Sequence, residues 1–294
     1  MDFYANLHLH SNHSDGVYTP RELVRIAKEE GYSALAITDH DTASAYPELK
    51  EACEEMGLEC IFGVEFSVLD PYDFHIVGFN FDAEYPPMKK YLADMAFRET
   101  DNTKKCFDEA VANGGISGVT WDDVLEFNRG IPWLCNNHVF NLLKARGIEK
   151  EENYMAWFDK NYRHQRGKYP PVLNFLPLGE LVALIKSAGG FAVVAHPFDS
   201  GLDKIDLLID AGVEGIEVWH ADMTEAERKR AYSIALERGL FISGGSDHSG
   251  LLGGFYSSFP TEEELKKSEL YIEPHSTGTT KEYFEEIKNG KLSR

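Results

Sequence analysis

Short apolar runs that end in histidine, aspartate or glutamate recur along this 294-residue chain, and stretches with the pattern of amphipathic helices separate them. This alternation predicts the strands and helices of a parallel α/β fold. In parallel α/β barrels the carboxyl ends of the strands meet at one rim, where active sites form. The pattern therefore predicts a rim lined with metal-binding side chains. The predicted strands are residues 3–10, 34–39, 60–69, 74–81, 190–196, 215–219 and 241–246.

The first predicted strand carries His8 and His10. Side chains two residues apart on a strand point to the same face, so the two imidazoles project together, and Asp15 in the following loop can reach them. Imidazole and carboxylate ligands suit zinc, manganese or iron. A histidine-rich surface strand is the alternative for this segment alone. The histidine and acidic side chains at the other strand ends favour metal binding.

The middle of the chain, residues 86–171, has little strand pattern and instead the pattern of several helices. We therefore predict a barrel-like body with the metal site from residues 1–85 and 172–294. Residues 86–171 are predicted to form a mostly helical inserted domain that contributes to the substrate pocket. Within the body, the spacing of Thr19 and Glu22 predicts a capping box at the start of the first helix.

The formal net charge of −20 disfavours stable binding of duplex DNA or RNA. It permits a small phosphorylated substrate, because bound divalent cations reverse the local field. No apolar stretch approaches the length of a membrane span, and the first residues lack the basic and apolar regions of a secretion signal. We therefore expect a cytoplasmic protein that does not bind membranes. The four cysteines have no metal-binding spacing and are expected to be reduced and buried.

Six short motifs follow one another along the chain. They are His8-Leu9-His10-Ser11, Ser14-Asp15-Gly16, Thr38-Asp39-His40-Asp41, Gly63-Val64-Glu65, Ala195-His196-Pro197 and Gly245-Ser246-Asp247. This ordered set resembles the motifs of the PHP (polymerase and histidinol phosphatase) family, and the layout is similar to that of its stand-alone metal-dependent phosphoesterases. The resemblance covers nearly the whole chain. It implies a distorted seven-stranded TIM-like (βα) barrel, the PHP fold, with two or three divalent metal ions at the rim.

The resemblance also implies which side chains bind each ion. Mixed nitrogen and oxygen ligands allow manganese, iron or zinc. Glu65 would bridge two ions, since carboxylates bridge metals readily while each imidazole nitrogen binds one. The implied ligands are His8, His10, Glu65 and Asp247 for one ion, Asp15 and His40 for a second, and Glu65, His75 and His196 for a third.

The last motif departs from the family pattern. Many members have a histidine ligand two residues after the aspartate, whereas here Asp247 is followed by His248 and then Ser249. Either a local shift lets His248 bind the second ion or contact phosphate, or that site is weaker and more open.

A metal cluster of this kind favours hydrolysis of phosphate esters, in which a metal-activated hydroxide attacks phosphorus. The sequence has neither a serine nucleophile elbow nor a glycine-rich nucleotide loop. Asp39, His248 or a metal-bound water would donate the proton to the leaving alcohol.

Three further residues are expected to contact the substrate. His138 lies in a segment that matches part of an Arg-Pro-His-like motif of related phosphoesterases, and its alternative role is a position at the start of a helix. Arg129 could add positive charge for phosphate, and Ser249 is a candidate contact next to His248. His220 has no motif match, but it ends a predicted strand and could lie near the rim.

The favoured function is therefore hydrolysis of a small, nucleotide-like phosphate ester. Alternatives of the same chemistry are an exonuclease on short oligonucleotides and a cyclic phosphodiesterase. A metal-binding scaffold without activity is a further alternative, as is amide hydrolysis by an amidohydrolase-like barrel.

Overall fold

The strands of this α/β protein form two sheets. The computed structural model describes residues 2–150, 153–163, 174–248 and 277–293. The first sheet has strand order β1-β2-β3 and the second has order β4-β5-β6-β7-β8. The strands are β1 (Ala5–Asn6), β2 (Ala34–Leu35), β3 (Glu59–Cys60), β4 (Gly63–Val68), β5 (Phe74–Phe79), β6 (Phe191–Val194), β7 (Gly215–His220) and β8 (Phe241–Gly245).

The fifth strand runs antiparallel to both of its neighbours, β4 and β6, so the prediction of an entirely parallel arrangement was wrong. All other pairs of adjacent strands are parallel. Residues 69–73 join β4 to β5, and such a short connection suits a hairpin, whereas parallel strands need a crossover of about a dozen residues or more. The antiparallel direction brings the start of β5 to the edge at which the parallel strands end.

The predicted strand over residues 60–69 is two strands, β3 and β4, and they belong to different sheets. The Ile61 amide still donates to the carbonyl of Leu35 in the first sheet, and Gly63 already pairs with Phe79 in the second. The break between them carries the chain from one sheet to the other.

Isolated bridges connect the two sheets at both sides. His40 pairs with Glu65 of β4, and Leu9 pairs with His248 just beyond β8. Within the described residues the ladders do not close into a continuous barrel.

The helices lie between the strands and in the middle of the chain. The first begins as predicted, with a capping box formed by Thr19 and Glu22. The middle of the chain contributes α3 to α6 and a π-helical turn, Asp159–Arg163. The helices are α1 (Pro20–Glu29), α2 (Tyr46–Met56), α3 (Pro86–Ala112), α4 (Trp121–Phe127), α5 (Asn136–Ala145), α6 (Tyr154–Phe158), α7 (Leu178–Ser187), α8 (Phe198–Leu202), α9 (Ile205–Asp210), α10 (Glu225–Arg238) and α11 (Lys281–Asn289).

The body has one large apolar cluster, to which α3 contributes Met88, and most buried apolar residues of the middle helices form another. In the body, Leu23 and Ala27 of α1 pack with strand residues such as Val64 and Ile216. The middle helices bury their own cluster, which includes Phe140 and Trp157. All four cysteines are free thiols; three are buried and Cys60 is partly buried. Within the described ranges, no helix has both the length and the apolar character needed to cross a membrane.

Candidate metal centre

Glu65 lies at the centre of a group of histidines. Its side chain on β4 is fully buried, and each of its two oxygens faces a different set of imidazoles. Burial alone would raise the pKa of this carboxyl, but the surrounding histidines hold it well below its usual value. The contacts to Oε2 are His8 Nε2 at 3.2 Å, His10 Nε2 at 3.1 Å and His40 Nδ1 at 3.3 Å; those to Oε1 are His75 Nδ1 at 2.9 Å and His196 Nε2 at 3.1 Å.

Four buried polar atoms at this centre form no hydrogen bond. They are His8 Nε2, His10 Nε2, His40 Nδ1 and Glu65 Oε2. Buried polar groups without a partner are costly and call for an explanation, such as an ion. Three imidazole nitrogens facing one carboxylate oxygen are a donor set that suits a divalent transition metal. The residues present therefore fit a bound cation.

The described residues contain overlapping groups whose ligand atoms lie within 4.8 Å of one another. The first is His8, His10, Glu65 and Asp247, the same four residues that the family resemblance implies for one ion. The other three groups differ in part from that assignment: His10 joins Asp15 and His40, His40 joins Glu65 and His75, and His8 joins Glu217 and His220. His196, assigned to the third ion, contacts the same Glu65 oxygen as His75.

The direction of β5 explains how His75 reaches the centre. His75 is the second residue of that strand and pairs with Ser67, two residues beyond Glu65 on β4. Burial opposes protonation of His75, but the neighbouring Glu65 carboxylate outweighs it and raises the pKa of His75 to about 9. Burial dominates at His40, where together with the charge of His10 it lowers the pKa to about 4.

The loop after β1 is fixed by Asp39, one of the predicted proton donors. Asp39 is buried and accepts hydrogen bonds from the Ser11 amide, the Ser11 hydroxyl and the Ser14 hydroxyl, at 2.6 to 2.7 Å. This loop carries Asp15, whose Oδ1 lies 3.5 Å from His10 Nδ1. The hydrogen bonds of Asp39 thus hold the loop against the segment after β2.

The amino-terminal end of α5 contacts the same loop from the other side. The Asn137 side chain donates to the Asp15 carbonyl at 2.5 Å, and the Cys135 thiol donates to the Ser14 carbonyl at 3.7 Å. His138 Nδ1 accepts from the Cys135 amide at 3.0 Å, so Nε2 carries the proton and donates to the Asn12 carbonyl at 2.9 Å. Both ring nitrogens of His138 are therefore bonded to the backbone.

His138 and Arg129, two of the predicted substrate contacts, line one cavity of about 620 Å³. It lies between the middle helices and the loop after β1, which contributes Asn12 and His13. Arg129 is largely exposed and pairs with Glu126 at its own helix end. The third predicted contact, Ser249, lies outside the described residues.

His248 is set apart from the four ligand groups. Its ring stacks on that of Tyr18, with centroids 6.2 Å apart, and its carbonyl accepts from the His10 amide at 3.1 Å. The backbone at Asp247 has a positive φ of 52°. This turn directs the Asp247 carboxylate towards His8 and His10, and the following ring towards Tyr18.

Strand β7 adds two groups to the centre. His220 Nε2 lies 3.3 Å from Asp247 Oδ2, as its place at a strand end suggested. Glu217 was missed; its carboxylate lies 3.1 Å from His8 Nδ1. An acidic residue between Ile216 and Val218 in a buried strand was the sequence signal that could have revealed it.

Several known proteins are similar to this chain. The chain is 28% identical to the phosphoribosyl 1,2-cyclic phosphate 1,2-diphosphodiesterase of Eggerthella lenta, over 84% of this chain and 95% of that protein. It is 32% identical to the 5′-3′ exoribonuclease Rnm of Salmonella typhimurium, over 82% and 84% of the two chains. It is 29% identical to the 3′,5′-nucleoside bisphosphate phosphatase of Chromobacterium violaceum, over 82% and 86%.

A solved structure from Bifidobacterium adolescentis, described as a metal-dependent phosphoesterase, superposes with a TM-score of 0.74 at 26% identity, over 98% of this chain and 96% of that one. The family model of the PHP domain matches residues 6–155. This range includes six of the eight predicted metal ligands: His8, His10, Asp15, His40, Glu65 and His75. With that match and the relative at 32% identity, the chain belongs to the PHP domain family.

Proposed function

We propose that this protein is a metal-dependent phosphoesterase that hydrolyses phosphate esters of small, nucleotide-like substrates. The observation that carries the proposal is the convergence of three imidazole nitrogens on Glu65 Oε2 without a hydrogen bond among them. Three of its relatives are, by name, a cyclic phosphate diphosphodiesterase, an exoribonuclease and a nucleoside bisphosphate phosphatase. Divalent cations bound there would supply Lewis acidity, which acidifies water and neutralises charge on phosphoryl oxygens.

The proposed centre holds two or three ions of manganese, iron or zinc. Its donor set of imidazoles and carboxylates suits these metals. Glu65 is proposed to bridge ions, because its two oxygens face different histidines. The proposed ligands are His8, His10, Asp15, His40, Glu65, His75, His196 and Asp247.

We propose different roles for the two predicted proton donors. Asp39 positions the loop of Ser11 and Asp15, since its oxygens already accept three hydrogen bonds from Ser11 and Ser14. His248 remains the candidate that donates a proton to the leaving alcohol, because it is only partly buried and lies directly beyond Asp247.

The inserted domain, residues 86–171, is proposed to recognise the part of the substrate that the metals do not bind. The 620 Å³ cavity beside α5 supports this role, since it is lined by Arg129, His13 and Lys144 as well as by Glu48. His138 shapes this cavity through its backbone hydrogen bonds. The bridges at His40 and Leu9 further support a distorted barrel in which the two sheets are continuous.

The test is phosphate release by protein reconstituted separately with Mn²⁺, Fe²⁺ and Zn²⁺. The panel contains nucleoside 3′,5′-bisphosphates, nucleoside monophosphates, a ribose cyclic phosphate and a short oligoribonucleotide labelled at the 3′ end. We expect hydrolysis of at least one small ester. Metal-loaded protein that leaves the whole panel intact would refute the proposal and favour a metal-binding scaffold.

An exonuclease acting on short oligonucleotides is the second candidate, because relatives at 30–32% identity carry the name 5′-3′ exoribonuclease. Stepwise release of mononucleotides from the labelled oligomer, faster than release of phosphate from the small esters, would favour it.

A further inference from the structure

Glu217 and His220 of β7 face the first ligand group although they are three residues apart. In a regular strand such residues point to opposite faces. Here the pairing of β7 with β8 is irregular between Glu217 and Trp219, where one extra residue is inserted. A bulge of this kind re-aims side chains and is frequent beside active sites. It places both polar side chains of β7 on the side of the metal centre.

The Glu217 carboxylate holds the His8 ring by its Nδ1 nitrogen. Both of its oxygens lie 3.1 Å from His8 Nδ1, and Oε2 also accepts from the His196 amide at 2.8 Å. When an ion is bound at the centre, Glu217 accepts the ring proton of His8 Nδ1, and the lone pair that faces the ion is on Nε2. That nitrogen is one of the four buried atoms without a hydrogen bond, and it points at Glu65 and Asp247.

His220 acts in the same way on Asp247. The Asp222 amide donates to His220 Nδ1 at 3.1 Å, which leaves the ring proton on Nε2. His220 Nε2 then donates to Asp247 Oδ2 at 3.3 Å. The other oxygen, Oδ1, stays directed at His10 Nε2, 2.9 Å away.

His8, Glu217 and His220 are also close enough together to bind an ion by themselves. Their hydrogen bonds argue against that role. His8 Nδ1 and both Glu217 oxygens are hydrogen-bonded to each other, and both His220 nitrogens have partners. The unpartnered atoms lie on the other side of the His8 ring.

We propose that β7 positions two ligands of one ion: Glu217 holds His8 with its Nε2 lone pair directed at the ion, and His220 holds Asp247 with Oδ1 directed at the same ion. The proposal rests on the metal centre of the proposed function. Hydrogen bonds of this kind orient metal ligands and make a histidine more basic, and their loss typically weakens metal binding 10- to 100-fold.

The experiment measures the affinity and number of bound Mn²⁺ or Zn²⁺ ions by competition with a chelating indicator. We expect Glu217→Gln to bind the tightest ion about 10- to 100-fold more weakly. Glu214→Gln, the same change in the partly exposed residue just before β7, is the matched control and should bind as the unmodified protein does.

His220 offers a pair of variants that separates positioning from a loss of fold. His220→Gln keeps an N–H donor near the place of Nε2 and should retain most of the affinity, whereas His220→Asn is too short to reach Asp247 and should lose it. The metal-free forms of all variants should unfold at similar temperatures. Equal metal affinity of Glu217→Gln and the unmodified protein overturns the proposal. So does loss of one whole ion with the remaining affinities unchanged, since that result makes Glu217 a ligand.

Because metal binding is measured without a substrate, the experiment tests the role of β7 independently of the proposed phosphoesterase activity. Protein that binds ions tightly but hydrolyses none of the panel contradicts the phosphoesterase and leaves the role of β7 standing. Unmodified protein that binds no ion contradicts both.

Discussion

The charge of Glu65 is the residue-scale feature on which the centre depends. This carboxylate contacts five imidazoles, so a neutral amide of the same shape leaves the bound cations without a bridging anion. We predict that Glu65→Gln lowers the number of bound metal ions and slows phosphate release by about 100-fold or more, a loss typical of removing one key electrostatic group. Elemental analysis and a phosphate assay measure the two effects.

The control for this variant is Glu225→Gln, which makes the same chemical change at an exposed residue of α10. It should bind metal and release phosphate as the unmodified protein does. Full metal content in Glu65→Gln would contradict the proposed bridging role.

His138 makes stability depend on pH through its burial. Burial lowers the pKa of its imidazole to about 4, whereas the unfolded chain has the ordinary value of about 6.5. As the pH falls below 6.5 the unfolded state binds this proton and the folded state does not, so the stabilisation is complete above pH 6.5 and is lost towards pH 4. We predict that the stability advantage over His138→Gln shrinks by about 1–2 kcal/mol between pH 7 and pH 5.

Urea unfolding of both proteins at each pH measures this difference, and subtracting the variant cancels the titration of the other histidines. A difference that stays constant with pH would mean that His138 is protonated equally in the folded and unfolded states.

The sequence predicted His8, His10, Glu65 and Asp247 as ligands of one ion, and the structure brings these four side chains together. They could be found because they stand in short motifs at the ends of apolar runs. The contact of Glu217 with His8 and the hydrogen bonds of Asp39 could not be predicted. Such contacts form only in three dimensions, and the chain separates Glu217 from His8 by 209 positions.

At the scale of elements, the close approach of the end of β8 to the segment that follows β1 depends on a glycine. A Cβ on Gly245 would lie 2.4 Å from both the Cβ and the amide nitrogen of His8, which is closer than packed atoms allow. We predict that Gly245→Ala pushes His8 away, destabilises the fold by about 1–3 kcal/mol and weakens metal binding. Denaturant unfolding and metal titration measure the two effects.

Gly179 in α7 provides the matched control, because no atom lies within 4 Å of a Cβ placed there. Gly179→Ala should be neutral or slightly stabilising, since alanine favours helix more than glycine does. If Gly245→Ala behaved like this control, β8 would not fix the position of His8.

The positions of most elements followed from the sequence, but strand direction and sheet membership did not. The capping box of α1 and the start of α7 at Leu178 are local signals. The reversal of β5 and the break between β3 and β4 depend instead on which distant strand each run pairs with. The bulge in β7 has no local signal either, and it is the feature that places His220 and Glu217 together.

At the scale of the whole molecule, the metal centre is a group of polar side chains that the fold gathers from distant segments. Five imidazoles surround the Glu65 carboxylate, with Asp247 and Asp15 beside them, and four buried atoms of this group form no hydrogen bond. The family and the chemistry could be predicted from sequence because the motifs report this group directly. The arrangement of the middle helices around it could not be predicted, since their contacts with Asn12 and Asp15 join segments more than 120 residues apart.

Metal removal tests the coupling of this centre to the whole fold. An ion that binds the folded chain and not the unfolded chain stabilises it by about 2.7 kcal/mol at a concentration 100 times its Kd. We predict that treatment with a chelator lowers the unfolding temperature by roughly 5 °C or more, and that excess Mn²⁺ or Zn²⁺ restores it. Differential scanning calorimetry measures the shift. Glu65→Gln should show a smaller shift than Glu225→Gln, because it has lost the bridging carboxylate; equal shifts in the two variants would place the stabilising ion somewhere other than at Glu65.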